Sequence, residues 1–158
     1  MRWLRFAVLI LFVTILQAGL LADMDVKPDL LLILLVFFAI HCNISEAIIA
    51  SFTVGFAADI IGLTMGPQII SFGLFGTLLA YLHRVVTIRK MPYQALAIFV
   101  VGFLTGLLVN LLTFLKAEPT VPYAVLFCTS LYSSLVGPFL FLPSAWWMRI
   151  KTQRFSRY

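Results

Sequence analysis

The sequence has few charges, few cysteines and none of the common catalytic motifs. Only 11% of its 158 residues are charged, and it contains two cysteines, Cys42 and Cys128. Two cysteines are too few for a disulfide framework. The chain has no HExxH, CxxC or GxSxG motif and no phosphate-cradling loop. We therefore expect no catalytic residues, no cofactor and no metal site.

Apolar residues, in contrast, make up 63% of the chain, and the mean hydropathy is +1.09. A soluble domain of this length cannot bury that much apolar surface, so the composition indicates an integral membrane protein. The apolar runs lack the two-residue alternation of barrel strands, and backbone groups in lipid must be satisfied within each segment. We predict a single all-α domain, a six-helix transmembrane bundle.

Six apolar segments are predicted to cross the membrane. Their approximate bounds are 3–22, 28–42, 45–62, 68–82, 92–115 and 122–147. The first segment has an alternative interpretation as a cleaved signal peptide, because a basic start precedes it and small residues end it. The second is short for a span, so a re-entrant segment is the alternative there. In the last segment, Gly137, Pro138 and Pro143 are expected to bend or shorten the helix.

The basic residues orient the chain. Six crossings leave only Lys27 and Lys116 on one side and place all the other basic residues on the opposite side. These are Arg2, Arg5, Arg84, Arg89, Lys90, Arg149, Lys151, Arg154 and Arg157. The bias predicts a multi-pass protein with both termini in the cytoplasm.

Basic residues at helix ends are typically topology signals and contacts to membrane lipids. Their placement therefore argues against nucleic acid as a partner, despite the net charge of +5. A cytoplasmic protein docking on residues 84–90 or on the C-terminal tail is the alternative role.

Two stretches have the pattern of helix starts. Pro28 is predicted in the first turn of the second helix, where Asp29 would place a negative charge against the positive end of the helix. Asn43, with Glu46 three residues later, fits a capping box at the start of the third helix.

Asp59 is the only carboxylate well inside an apolar segment. An ionised group in hydrocarbon costs roughly 2.5–3.5 kcal/mol even on the mildest insertion scale, so it should face the protein interior with a partner. By depth, the candidate cations are Lys27 and Lys116, whose long side chains can reach inward. A structural salt bridge is therefore one interpretation of Asp59.

Four polar side chains fall at a similar depth near the outer ends of their helices: Gln17, Asp59, Gln68 and Asn110. They could form a small polar pocket open to the outside, or they could hydrogen-bond one another and hold the helices together. An intramembrane protease would need two facing carboxylates, and the only candidate pair is Asp29 with Asp59. Since Asp29 belongs to a helix start, the sequence argues against an enzyme.

Small residues recur at four-residue spacing and are expected to let helices pack closely inside the bundle. The pairs are Gly102 with Gly106, Ser130 with Ser134, and Ser133 with Gly137.

Two apolar stretches precede a basic loop: KPDLLLILLVFFAI at 27–40 and GFAADIIGLTMGPQIISFGLFGTLLAYL at 55–82. Together they resemble the rod shape-determining protein MreD family. The likeness lies in three features: Lys27-Pro28-Asp29 before the second segment, Gly55 with Asp59 at the end of the third, and Gly62 with Gly66 in the following turn. Where many members have proline before the last glycine, this chain has Met65, and its proline follows at Pro67.

The resemblance implies a non-enzymatic subunit of the bacterial cell-elongation complex in the inner (cytoplasmic) membrane. Such a subunit would bind the bitopic protein MreC, near MreB, RodA and a penicillin-binding transpeptidase, and help to organise lateral peptidoglycan synthesis. The resemblance also implies a fold similar to the S-components of energy-coupling-factor transporters. The alternative function is therefore a small-molecule-binding membrane subunit that uses the outer polar residues.

Overall fold

The computed structural model describes residues 2–19, 23–26, 28–62, 66–86 and 90–148. Within these ranges the chain forms six α-helices and no strand. The helices are α1 (Arg2–Gly19), α2 (Leu30–His41), α3 (Ile44–Gly62), α4 (Pro67–Val85), α5 (Met91–Leu115) and α6 (Tyr123–Met148). The predicted all-α architecture is confirmed.

Three of the described helices are long and apolar enough to cross a membrane. They are α3, α5 and the part of α6 from Tyr123 to Ser144, whereas α1 and α2 are shorter apolar helices. Large apolar side chains are exposed on the outside of the bundle, including Leu11 (62%), Phe114 (69%) and Leu135 (67%). An apolar exterior of this kind suits lipid better than water. These features indicate a membrane protein, and six crossings stay a prediction.

Several helix bounds differ from the predicted ones. The end predicted for the first helix, 20–22, lies outside the described residues, and α4 continues to Val85, three residues beyond 82. α6 runs through both Pro138 and Pro143, so they do not shorten it, and the alternative expectation that they bend it stays a prediction. Prolines are tolerated inside membrane helices because neighbouring groups satisfy the backbone carbonyls that they free.

α2 is the central helix. All residues from Leu30 to Ile40 are buried, and α2 packs against each of the other five described helices. A helix that is apolar all round belongs inside a structure, and α2 has no polar side chain before His41. Its 12 residues extend only about 18 Å, less than the ~30 Å of a hydrocarbon core.

Helices that follow each other in the chain run antiparallel. In the α1–α2 pair, Gln17 bonds to Asp29 at one end, and the Phe6 ring packs on Phe38 at the other, with centroids 4.8 Å apart. α2 therefore runs antiparallel to α1 over this length, and whether it crosses the membrane stays a prediction. By the same test α2 and α6 are parallel, since Asp29 bonds to Ser133 and Phe37 packs on Phe141.

The helix termini consequently collect at two ends of the bundle. The end at which α1, α3 and α5 finish is called the carboxylate end, because it carries Asp23, Asp25, Asp29, Asp59 and Glu118, together with Lys116. The opposite end is called the cationic end, because Arg5, Arg84 and Lys90 lie there, together with Glu46.

Small residues let the helices approach closely, as expected. A Cβ on Gly102 would meet Leu32 at 2.7 Å, and one on Gly106 would meet Leu126 at 3.0 Å. Gly137 leaves room for Ile98 in the same way. The four-residue spacing of small residues is thus used for packing within the bundle.

Candidate functional site

Asp59 lies in the last turn of α3 and is only 4% exposed. Its carboxylate accepts three backbone hydrogen bonds from the start of α4. Oδ2 accepts from the amides of Gly66 at 3.0 Å and Ile69 at 3.1 Å, and Oδ1 accepts from the amide of Gln68 at 3.1 Å. The first N–H groups of a helix have no partner within it, and a negative charge is favourable there. Asp59 therefore caps α4 from the neighbouring helix.

The local sequence explains why the cap comes from another helix. Gly66 occupies the N-cap position of α4 and has no side chain to offer, and its φ of 109° is one that glycine adopts without strain. Pro67 follows at the first helical position and has no N–H to satisfy. The donors that remain are the ones Asp59 binds.

Gly55, one turn before Asp59, sets the distance between the two helices. A Cβ at this position would lie 2.8 Å from Cα of Ile69 and 3.0 Å from the carbonyl oxygen of Gln68, both backbone atoms. Only glycine lets the start of α4 come this close to α3. Gly55, Asp59, Gly66 and Pro67 therefore act as one unit, which we call the α3–α4 cap.

A second polar cluster holds the start of α2. Asp29 is its N-cap residue, and Oδ1 accepts from the amide of Leu32 at 3.1 Å and from Nε2 of Gln17 at 3.3 Å. Gln17 also accepts from the amide of Leu31 at 3.1 Å, and the amide of Asp29 donates to Oγ of Ser133 at 2.8 Å. This α2 cap ties α1, α2 and α6 together.

The α2 cap confirms one prediction and corrects another. The negative charge of Asp29 does lie at the positive end of α2. Pro28, however, is not in the first turn, because α2 begins at Leu30 and Pro28 precedes the cap residue. The reason is that Asp29 has an extended backbone, with ψ of 91°, so that its own side chain can accept from Leu32.

Asn110 holds the connection between α5 and α6. Its Nδ2 donates to the carbonyl oxygen of Val121 at 3.0 Å, and its Oδ1 accepts from the amide of Val121 at 2.9 Å. Asn110 is 8% exposed, so one buried side chain satisfies both backbone groups of a residue in the link. An aspartate could not make this pair, because it has no N–H to donate.

The four polar residues predicted to lie at similar depth are all at the carboxylate end. The hydrogen bonds of Gln17, Asp59 and Asn110 lead to three different backbone segments, and Gln68 contributes its backbone amide to the α3–α4 cap. This arrangement favours the structural interpretation over the pocket. The main partners are backbone groups at helix ends, whereas bonds among the four side chains had been expected.

Of the two lysines predicted as possible partners of Asp59, only Lys116 lies in the described part of the chain. Nζ of Lys116 lies 3.9 Å from the point that a Cβ on Gly66 would occupy, so its ammonium group is beside the α3–α4 cap. Lys27 lies outside the described residues, as do Arg89, Arg149 and Lys151. Arg84, in the last turn of α4, and Lys90, just before α5, are exposed at the cationic end.

Two contacts in the structure were not predicted from the sequence. The first is the bond from the amide of Asp29 to Oγ of Ser133. The sequence identified Ser133 only as a small residue, although a serine that faces a helix start is also a candidate hydrogen-bond partner. The indole Nε1 of Trp147 donates to the carbonyl oxygen of Arg5 at 3.4 Å, which joins α6 to α1 at the cationic end. No sequence pattern signals that contact, since 142 residues separate its partners.

The chain matches no family model, no curated protein and no solved structure.

Proposed function

We propose that the protein is a non-enzymatic scaffold subunit of the bacterial cell-elongation complex in the inner membrane. In this role it binds an MreC-like bitopic protein and, through it, helps to organise peptidoglycan synthesis near MreB, RodA and a penicillin-binding transpeptidase.

One observation carries the proposal: four of the seven residues that carry the resemblance to the MreD family fix helix ends. Asp29 caps α2, and Gly55, Asp59 and Gly66 form the α3–α4 cap. A protein that acts by presenting a defined surface to a partner needs such rigid joints. A catalytic or ligand-binding subunit would instead keep polar atoms available for its substrate.

The alternative small-molecule-binding subunit would use the side chains of Gln17, Asp59, Gln68 and Asn110. Three of these four already bond to backbone groups of the protein itself. A ligand would have to displace those bonds and leave partly buried backbone amides unpaired, at a cost of up to about 1–3 kcal/mol each. We therefore favour the scaffold.

Co-purification with the MreC-like protein from the same genome tests the proposal. We expect the partner to remain bound through detergent extraction and gel filtration. Asp59→Ala should reduce the amount bound, because the carboxylate end is no longer held in place. Asp25→Ala, which removes an exposed carboxylate at the same end, is the matched control and should bind as the wild type does. A folded wild-type protein that never retains the partner would contradict the proposal.

A further inference from the structure

An apolar groove runs along the outside of the bundle between α1 and α6. Its volume is about 390 Å³, within the range of small-molecule sites. Its floor is α2, where Ile33 and Phe37 face it, and its walls include Phe12 and Val13 of α1 and Leu140 of α6. Ser144 carries a hydroxyl group, and the other described lining residues have aliphatic or aromatic side chains. A charged or strongly polar ligand could not be desolvated here without unpaired groups.

Polar contacts bound the groove at both ends. At the carboxylate end, the α2 cap joins α1, α2 and α6 through Gln17, Asp29 and Ser133. At the cationic end, the indole of Trp147 bonds to the backbone of Arg5 and joins α6 to α1 again. Because α2 and α6 are parallel and Asp29 lies beside Ser133, Leu30 is level with the residue after Ser133. At 1.5 Å per residue, Trp147 is then roughly 20 Å further along the bundle. The groove is therefore a bounded slot that opens sideways.

The length of the slot suits a hydrocarbon chain. One leaflet of a bilayer core is about 15 Å deep, which is comparable with the length of the slot. A lipid acyl chain that starts at the head-group boundary would therefore lie along the slot.

The cationic end supplies the features that would hold a lipid head group. Trp146 and Trp147 line the groove at that end, and tryptophan prefers the boundary between hydrocarbon and head groups. The backbone carbonyl of Arg5 accepts the Trp147 indole bond, so this partly exposed arginine is at the cationic end of the groove. Arginine binds phosphate with several N–H donors in a fixed geometry.

We propose that this groove is a binding site for one anionic phospholipid, with an acyl chain between α1 and α6 and its phosphate at Arg5. The site involves neither the α3–α4 cap nor the Asn110 contact, and it shares with the scaffold role only the α2 cap at its carboxylate end.

Native mass spectrometry of the detergent-purified protein tests the site. The wild type should retain phospholipid, with anionic species enriched over the membrane average. Val13→Phe fills the groove and should lose the retained lipid, and Ser144→Phe should do so from the opposite wall. The matched control is Leu11→Phe, because Leu11 is exposed on the same helix and does not line the groove. Arg5→Gln should keep a lipid but lose the preference for anionic species.

Three results would overturn the site. The first is a folded Val13→Phe protein that retains as much lipid as the wild type and the Leu11→Phe control. The second is a purified wild type with no retained lipid. The third would come from a photoreactive residue at position 13: crosslinking to a second protein chain, in place of a phospholipid, would assign the groove to a partner helix.

Discussion

At the scale of single residues, Asp59 shows how a carboxylate can remain inside an apolar bundle. Its two oxygens accept from three backbone amides, and these amides are the positive end of α4. The same contacts also give acceptors to the amides at the start of α4, which have no partner within the helix. The polar groups at the start of α4 and the charge of Asp59 therefore depend on each other.

Removing the Asp59 carboxylate should destabilise the protein. We expect Asp59→Ala to lower the free energy of unfolding by on the order of 2 kcal/mol, because several amides lose their acceptor. Asp59→Asn should cost less, since one side-chain oxygen remains. Unfolding followed by circular dichroism in detergent measures both. Asp25→Ala is the control, and a midpoint for Asp59→Ala equal to that of the control would show that the cap contributes nothing.

The sequence predicted that Asp59 faces the interior but not what it binds there. The apolar surroundings of Asp59 require a partner, and only side chains at similar depth can be proposed from the sequence. The backbone amides at 66, 68 and 69 become available only because Gly66 provides no cap of its own and Pro67 begins the helix. The pairing thus depends on the path of the turn, which no pattern of side chains specifies.

At the scale of helices, α2 organises the others although it is the shortest. Its run of apolar residues was recognised from the sequence, and its brevity left two interpretations open. Its central position could not be predicted, because it arises from packing against all five neighbours. Helix existence and approximate bounds, in contrast, follow from apolar runs and turn residues.

The α3–α4 pair provides a test of close packing. Gly55→Ala should destabilise the protein by about 1–3 kcal/mol, because the new Cβ meets backbone atoms that cannot rotate away. Gly19→Ala is the matched control, since nothing lies within 4 Å of a Cβ at that position. Thermal unfolding of the two variants checks the difference. Equal midpoints would mean that α4 shifts freely against α3, contrary to the tight cap described above.

At the scale of the whole molecule, the bundle separates its charges between two ends. Of the carboxylates in the described part of the chain, five lie at the carboxylate end, while Arg5, Arg84 and Lys90 lie at the other end. The antiparallel helices produce this separation. For the basic residues it was predicted from their order along the sequence. The side of the membrane that each end faces is set by the cationic residues and stays a prediction.

Labelling of single cysteines in intact cells tests the central claim, that six crossings separate a structural carboxylate end from a cytoplasmic cationic end. Cys42 and Cys128 are first removed. Single cysteines are then introduced one at a time, at positions 25 and 118 of the carboxylate end and at positions 84 and 90 of the cationic end. A membrane-impermeant maleimide should label 25 and 118 in intact cells, and 84 and 90 only after permeabilisation. Labelling of 25 and 118 from opposite sides, or of 84 in intact cells, would contradict the account.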